Sequence, residues 1–100
     1  MDKEGLLNIL QTNSSQIKSY GISLLGIFGS FARSEETDKS DVDVIVEFNQ
    51  GKKSYRKYIE LVYFLEELLQ KRVDVLTFQS ISPILKEQIE KEITYVTLDS

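Results

Sequence analysis

The chain reads as an α/β (α+β) domain, a small mixed sheet flanked by helices, on three observations. Residues 22–28, Ile-Ser-Leu-Leu-Gly-Ile-Phe, are nearly continuous in apolar side chains, as a buried strand would be. Residues 41–48, Asp-Val-Asp-Val-Ile-Val-Glu-Phe, place Val42, Val44 and Val46 on one face and Asp41 and Asp43 on the other. Tyr58, Val62, Leu65 and Leu69 recur at helical spacing and are followed at once by a strand over 72–78. A helical crossover of that length implies that the two strands it joins run parallel.

The remaining elements follow in order. Asp2 can cap a first helix whose apolar stripe includes Leu6, Leu7 and Leu10, and the polar stretch Thr12-Asn13-Ser14-Ser15 interrupts it. A second short helical piece over 16–19 stops near Gly21. Gly29 ends the first strand, residues 30–33 make one helical turn capped by Ser30, and 34–40 form a polar loop in which Glu35, Glu36 and Asp38 are solvated. Asn49-Gln50-Gly51 closes the second strand, and Ser54 caps the long helix, 55–70. Its Tyr55, Tyr58 and Tyr63 suit core and interface positions better than base stacking. Ser82, with Pro83 at the first helical position, opens a last helix to about residue 91, and 93–97 add an edge strand.

A chain of 100 residues has room for one core, so the expected organisation is one domain over 1–100, without a separate acceptor-recognition domain. The net charge of -4 and pI of about 4.8 argue against gripping long nucleic acid through its phosphates, which needs a basic surface. There is neither cysteine nor histidine. A bound metal would therefore be held by oxygen, which selects magnesium or manganese over zinc. No apolar stretch approaches membrane-spanning length and the N-terminus is not a secretory signal, which leaves the cytoplasm as the expected location.

Three aspartates carry the chemistry. Two carboxylates on one strand face repel each other, an arrangement a fold avoids unless something binds between them. Their Cα atoms stand ~6.5 Å apart, a span from which Asp41 and Asp43 can converge on two metal ions roughly 3.5–4 Å apart. Asp74, on the neighbouring strand, can complete the ligand set and accept a hydroxyl proton. Glu47 shares the face but stands ~13 Å farther on and is a poor fourth ligand. The same residues also allow a plainer reading, in which Asp41 caps the strand entry, Asp43 faces water, and Asp74 pairs with Arg72 or Lys71.

Upstream, Gly29-Ser30-Phe31-Ala32-Arg33 is a tight turn with the makings of a phosphate cradle. Neither Gly-x-x-x-x-Gly-Lys-Ser/Thr nor Gly-x-Gly-x-x-Gly occurs, so it is neither a P-loop nor a dinucleotide site. Arg33 could reach a polyphosphate or pair with Glu35 or Glu36. Metal and phosphate together suggest nucleotide chemistry.

Gly29-Ser30-Phe31-Ala32-Arg33, then Ser40-Asp41-Val42-Asp43-Val44-Ile45-Val46, then Val73-Asp74-Val75 together resemble the minimal nucleotidyltransferases of the DNA polymerase β superfamily. That family's pattern is Gly-Ser-x-Ala-Arg-Gly, a variable loop, Ser-Asp-x-Asp-Leu-x-Val and a third Asp on a later strand. Ser34 replaces the glycine usual after Arg33. The resemblance implies a polymerase β-like fold, with Gly29 and Ser30 on the β- and γ-phosphates, Asp41 and Asp43 on two Mg2+ ions, and Asp74 as the third carboxylate. Small members resemble antitoxins paired with all-helical HEPN ribonuclease toxins. The implied activity is transfer of AMP from ATP to a tyrosine of that toxin. Transfer to a small molecule and neutralisation by binding alone are the alternatives.

Overall fold

The computed structural model describes residues 1–98, so the end of the expected domain, at residue 100, lies outside the described residues. The elements run α1 (Lys3–Thr12), α2 (Ser14–Lys18), β1 (Ile22–Phe28), α3 (Gly29–Ala32), β2 (Val42–Phe48), α4 (Tyr55–Leu69), β3 (Val73–Thr77), a 3-10 turn (Phe78–Ser80), α5 (Pro83–Glu90) and β4 (Thr94–Val96). The strands form one sheet in the order β3-β2-β1-β4. As the crossover helix implied, β2 and β3 are parallel, while β1 is antiparallel to both β2 and β4.

Three of the helix caps expected from the sequence are present. Asp2 accepts from the amide of Gly5, Ser54 from that of Lys57, and Ser82 from that of Leu85, each supplying an acceptor that a helix start lacks. α4 ends at Gln70, which takes a left-handed conformation (φ 53). Alternation then sorts the sheet into two faces. Leu25, Ile27, Val42, Val44, Val46, Val73 and Val75 point into one core with Leu6, Leu10 and Ile17 of α1 and α2 and Leu61, Leu65 and Leu69 of α4. The opposite face carries Asp43, Ile45 and Glu47 of β2. Ile45 is fully buried there, as is nearly all of Ile89 of α5, and both lie outside the main core.

The structure shifts several boundaries. β2 begins at Val42 rather than Asp41, and β3 spans Val73–Thr77 rather than 72–78. α2 begins at Ser14 and ends at Lys18, and β4 keeps only Thr94–Val96 of the expected edge strand. Ser30 does not cap α3: the helical turn already includes Gly29, Phe28 holds the cap position, and no side-chain cap bond forms. Tyr55 and Tyr63 are 81% and 66% exposed, so only Tyr58 of the three tyrosines packs on the core. Glu36 is not fully solvated either, since its Oε1 is buried with no hydrogen-bond partner among the described residues. No described helix is long and apolar enough to cross a membrane.

Candidate active site

The register of three strands assembles the site. Asp43 lies across from Phe28 on β1 and beside Asp74 on β3. Because Gly29 directly follows Phe28, the turn after β1 is delivered against Asp43. Gly29 has φ +73, and a Cβ on it would overlap Asp43 Oδ2. The position demands glycine twice, for its backbone conformation and for the space its hydrogen leaves. Asp41, one residue before β2, is exposed. The amide of Val42 donates to the Arg72 carbonyl (2.9 Å), which joins the entries of β2 and β3.

The electrostatics fit carboxylates crowded together. Partial burial, then the charges of Asp74 and Asp41 and a hydrogen bond with Asp74, push Asp43 from an ordinary 3.8 up to about 6, opposed weakly by Arg33. Carboxylates crowded in this way would be relieved by a nearby cation. None of the described ion pairs supplies one: they are Arg33–Glu35, Arg33–Glu92 and Arg56–Glu60. The plainer reading of Asp74 therefore does not hold. Lys71 instead donates to the carbonyls of Asp38 and Ser40 (3.1 and 3.4 Å), tying the polar loop to the start of β3.

Among the described residues, no group of three or more acidic side chains is closed tightly enough to hold a metal as it stands. Asp43 and Asp74 are adjacent, and Asp41 is not gathered with them. The donor chemistry nevertheless fits magnesium, since every available side-chain ligand is a carboxylate oxygen and the cost of crowding them is what a divalent cation would relieve. Asp43 and Asp74 also line an open cleft of about 470 Å³ with Phe28, Tyr58, Val62 and Leu76. A larger cleft of about 530 Å³, bounded by Lys53, Tyr55 and Ser80, shares Tyr58, Val75 and Leu76 with it.

The phosphate side is more occupied than the sequence suggested. Ser30 is half-buried beside Gly29. The Gly29 amide itself already donates to Glu92 Oε1 (2.9 Å), and Arg33 pairs with Glu35 (2.6 Å) and Glu92 (2.9 Å). The ion-pair alternative for Arg33 is thus the one seen, and both carboxylates hold its guanidinium above its usual range. Burial would raise Glu92, but the Gly29 amide and Arg33 outweigh it and hold the carboxyl below its usual value. Sequence reading missed Glu92 because its partners lie 63 and 59 residues away and no local pattern marks it.

Comparison with known proteins places the chain in a family. The nucleotidyltransferase domain family matches residues 4–96. Protein adenylyltransferase MntA of Thermococcus cleftensis is 34% identical over 94 residues, 93% of this chain and 94% of that one. A solved minimal nucleotidyltransferase structure superposes with a TM-score of 0.82 at 33% identity, covering 94% of this chain and 95% of that chain. In fold alone, the chain also resembles part of the complex of tri-AMPylated Shewanella oneidensis HEPN toxin with MNT antitoxin, at TM-score 0.61 and 21% identity, covering 89% and 72%. A family match over nearly the whole chain, a relative of equal span and three aspartate- and glycine-bearing strand ends in register lead to one assignment: the chain belongs to the nucleotidyltransferase domain family and is a nucleotidyltransferase of the minimal type.

Proposed function

We propose that the chain, one catalytic domain over 1–100, transfers AMP from ATP to a hydroxyl of a partner protein, a tyrosine of a HEPN-type toxin, and acts as that toxin's antitoxin. The observation that carries the chemistry is the register of Asp43 with Asp74, with Gly29 packed against Asp43. The name of the Thermococcus relative and the HEPN–MNT complex of related fold support a protein acceptor.

Asp41, Asp43 and Asp74 would hold magnesium, which when bound neutralises the triphosphate and makes the acceptor hydroxyl more acidic. Ser30 would donate its hydroxyl, and Arg33 its remaining N–H groups, to the phosphates. The acceptor oxygen forms a bond to the α-phosphorus, the bond from that phosphorus to the bridging oxygen breaks, and pyrophosphate leaves. Asp74 would take the hydroxyl proton, its exposure leaving it open to an incoming side chain. The open cleft beside Asp74 leaves room for the acceptor.

The test is co-expression with a HEPN-type partner and intact-mass measurement of that partner. The expected result is one or more added AMP units with the parent and none with Asp41→Asn/Asp43→Asn. Protection by the double mutant with the partner's mass unchanged would make neutralisation a matter of binding alone. A parent that neither protects nor adds mass would leave a small-molecule acceptor as the substrate to seek.

A further inference from the structure

We propose that Glu92 is a positioning residue for nucleotidyl transfer, setting the nucleotide's phosphates in place by holding both the Gly29 turn and the Arg33 guanidinium. The proposal rests on the reading of Gly29, Ser30 and Arg33 as the phosphate end of the site.

The geometry is specific. One carboxylate spans two groups on the same turn, with Oε1 accepting from the Gly29 amide and Oε2 from Arg33 Nη1, each at 2.9 Å. Gly29 is thereby bracketed. Asp43 lies against its α-carbon from β2, and Glu92 takes its amide from the residues just before β4, on the other side of β1. A glycine at φ +73 gains little from its own backbone preferences, so contacts from both sides are what fix this turn.

Glu92 is itself anchored. Its amide donates to the Ile89 carbonyl (3.0 Å), and the Ile93 amide donates to the same carbonyl (2.9 Å). The side chain of Ile93 lies over Gly26, where a Cβ would stand 2.6 Å from its Cδ1. The packed end of α5 thus sets where the carboxylate reaches. Arg33, held by Glu92 and Glu35, keeps a fixed direction rather than sweeping solvent, and the part of its planar fork not engaged by them remains to donate to a phosphate. With the Gly29 amide taken, the groups left for phosphate are the Ser30 amide and hydroxyl and the rest of Arg33.

An opposite role for the same contacts would make Glu92 a competing anion, sitting where a phosphate belongs. The two roles predict opposite signs. As a positioning residue, its loss weakens nucleotide binding; as a competitor, its loss strengthens binding. The arrangement favours positioning, because the amide contact comes from the side of β1 away from Asp43 and Arg33, shared with Glu35, offsets part of the charge of Glu92.

The experiment compares the parent with Glu92→Ala and Glu92→Gln. Calorimetry would measure binding of magnesium with a non-hydrolysable ATP analogue, and transfer assays would give KM and kcat. Glu92→Ala should weaken analogue binding and raise KM for ATP about tenfold, with a smaller change in kcat, since one charge-assisted bond and one backbone bond are lost. Glu92→Gln, nearly isosteric, should fall between, because its amide oxygen still accepts from Gly29 while the charge facing Arg33 is gone. The Gly29 amide resonance, read without nucleotide, should stay near its parent position in Glu92→Gln and move in Glu92→Ala. Ser30→Ala and Asp43→Asn serve as references. If both bind the analogue like the parent, the site reading falls and this inference with it. If both bind more weakly while Glu92→Ala binds as well as the parent or better, only the role given to Glu92 is overturned.

Discussion

Gly29 and Asp43 are in contact at a point where no side chain other than hydrogen fits: a methyl on Gly29 would overlap Asp43 Oδ2. Gly29→Ala should therefore act on stability and chemistry together. A left-handed conformation costs an L-residue about 1–2 kcal/mol, and the overlap displaces Asp43 in addition. A fall in Tm of about 5–10 °C is expected for a domain of this size, with transfer reduced beyond what unfolding explains. Thermal melts and transfer rates measured well below the new Tm would check it, and a fully active Gly29→Ala would contradict the packing.

Asp43 should be a stability cost in the metal-free protein. Its carboxyl rises from 3.8 to about 6 on folding, so the folded state holds the proton more tightly than the unfolded chain. The charged form is penalised fully above about pH 6, and the penalty is relieved as pH falls from about 6 through 3.8. Asp43→Asn should raise Tm by a few degrees at pH 7.5 in chelator and lose that advantage below about pH 4. It should also abolish transfer. A mutant less stable than the parent at pH 7.5 would mean that Asp43 is not held against repulsion.

Magnesium should reverse that cost. A ligand that binds only the folded state stabilises it by about 1.4 kcal/mol at ten times its Kd. Millimolar magnesium is expected to raise the Tm of the parent at pH 7.5, to do so less at pH 5, where protons compete for Asp43, and to leave Asp43→Asn unchanged. Equal shifts in both proteins would place the ion elsewhere.

Tyr58 couples the long helix to the strand bearing Asp74. Its hydroxyl donates to the Val75 carbonyl (2.7 Å), an edge-strand acceptor next in sequence to Asp74. Tyr58→Phe removes the donor and should cost about 1 kcal/mol. Because Asp74 is proposed to serve the acceptor, kcat should fall while KM for ATP changes little. A change confined to KM would place the influence of Tyr58 on the nucleotide instead.

Much of this protein is determined locally. The period-two alternation of residues 42–48 sends Val42, Val44 and Val46 inward and therefore Asp43 outward, whatever packs above. Asp2, Ser54 and Ser82 mark helix starts because each cap bond closes within three residues, so the signal and its effect share one stretch of chain. The helix between two strands makes β2 and β3 parallel, and that brings the second and third aspartates together. The Gly-Ser turn and the Asp-x-Asp strand were visible for the same reason.

What the tertiary structure decided involves partners far apart in sequence. Arg33 had nearby acids in Glu35 and Glu36, and only the folding of α5 and β4 brought Glu92 to it and to the Gly29 amide. Ser30 sits inside α3 rather than capping it, and the Gly29 before it packs against Asp43 of the neighbouring strand, a contact no local pattern marks. Tyr55 and Tyr63 shared a helix and a residue type with Tyr58, but only Tyr58 lies where Val75 can accept its hydroxyl. Burial and crowding of Asp43 likewise follow from strand register. A carboxyl's affinity for its proton depends on every charge and dielectric boundary around it, and those are set by the assembled sheet.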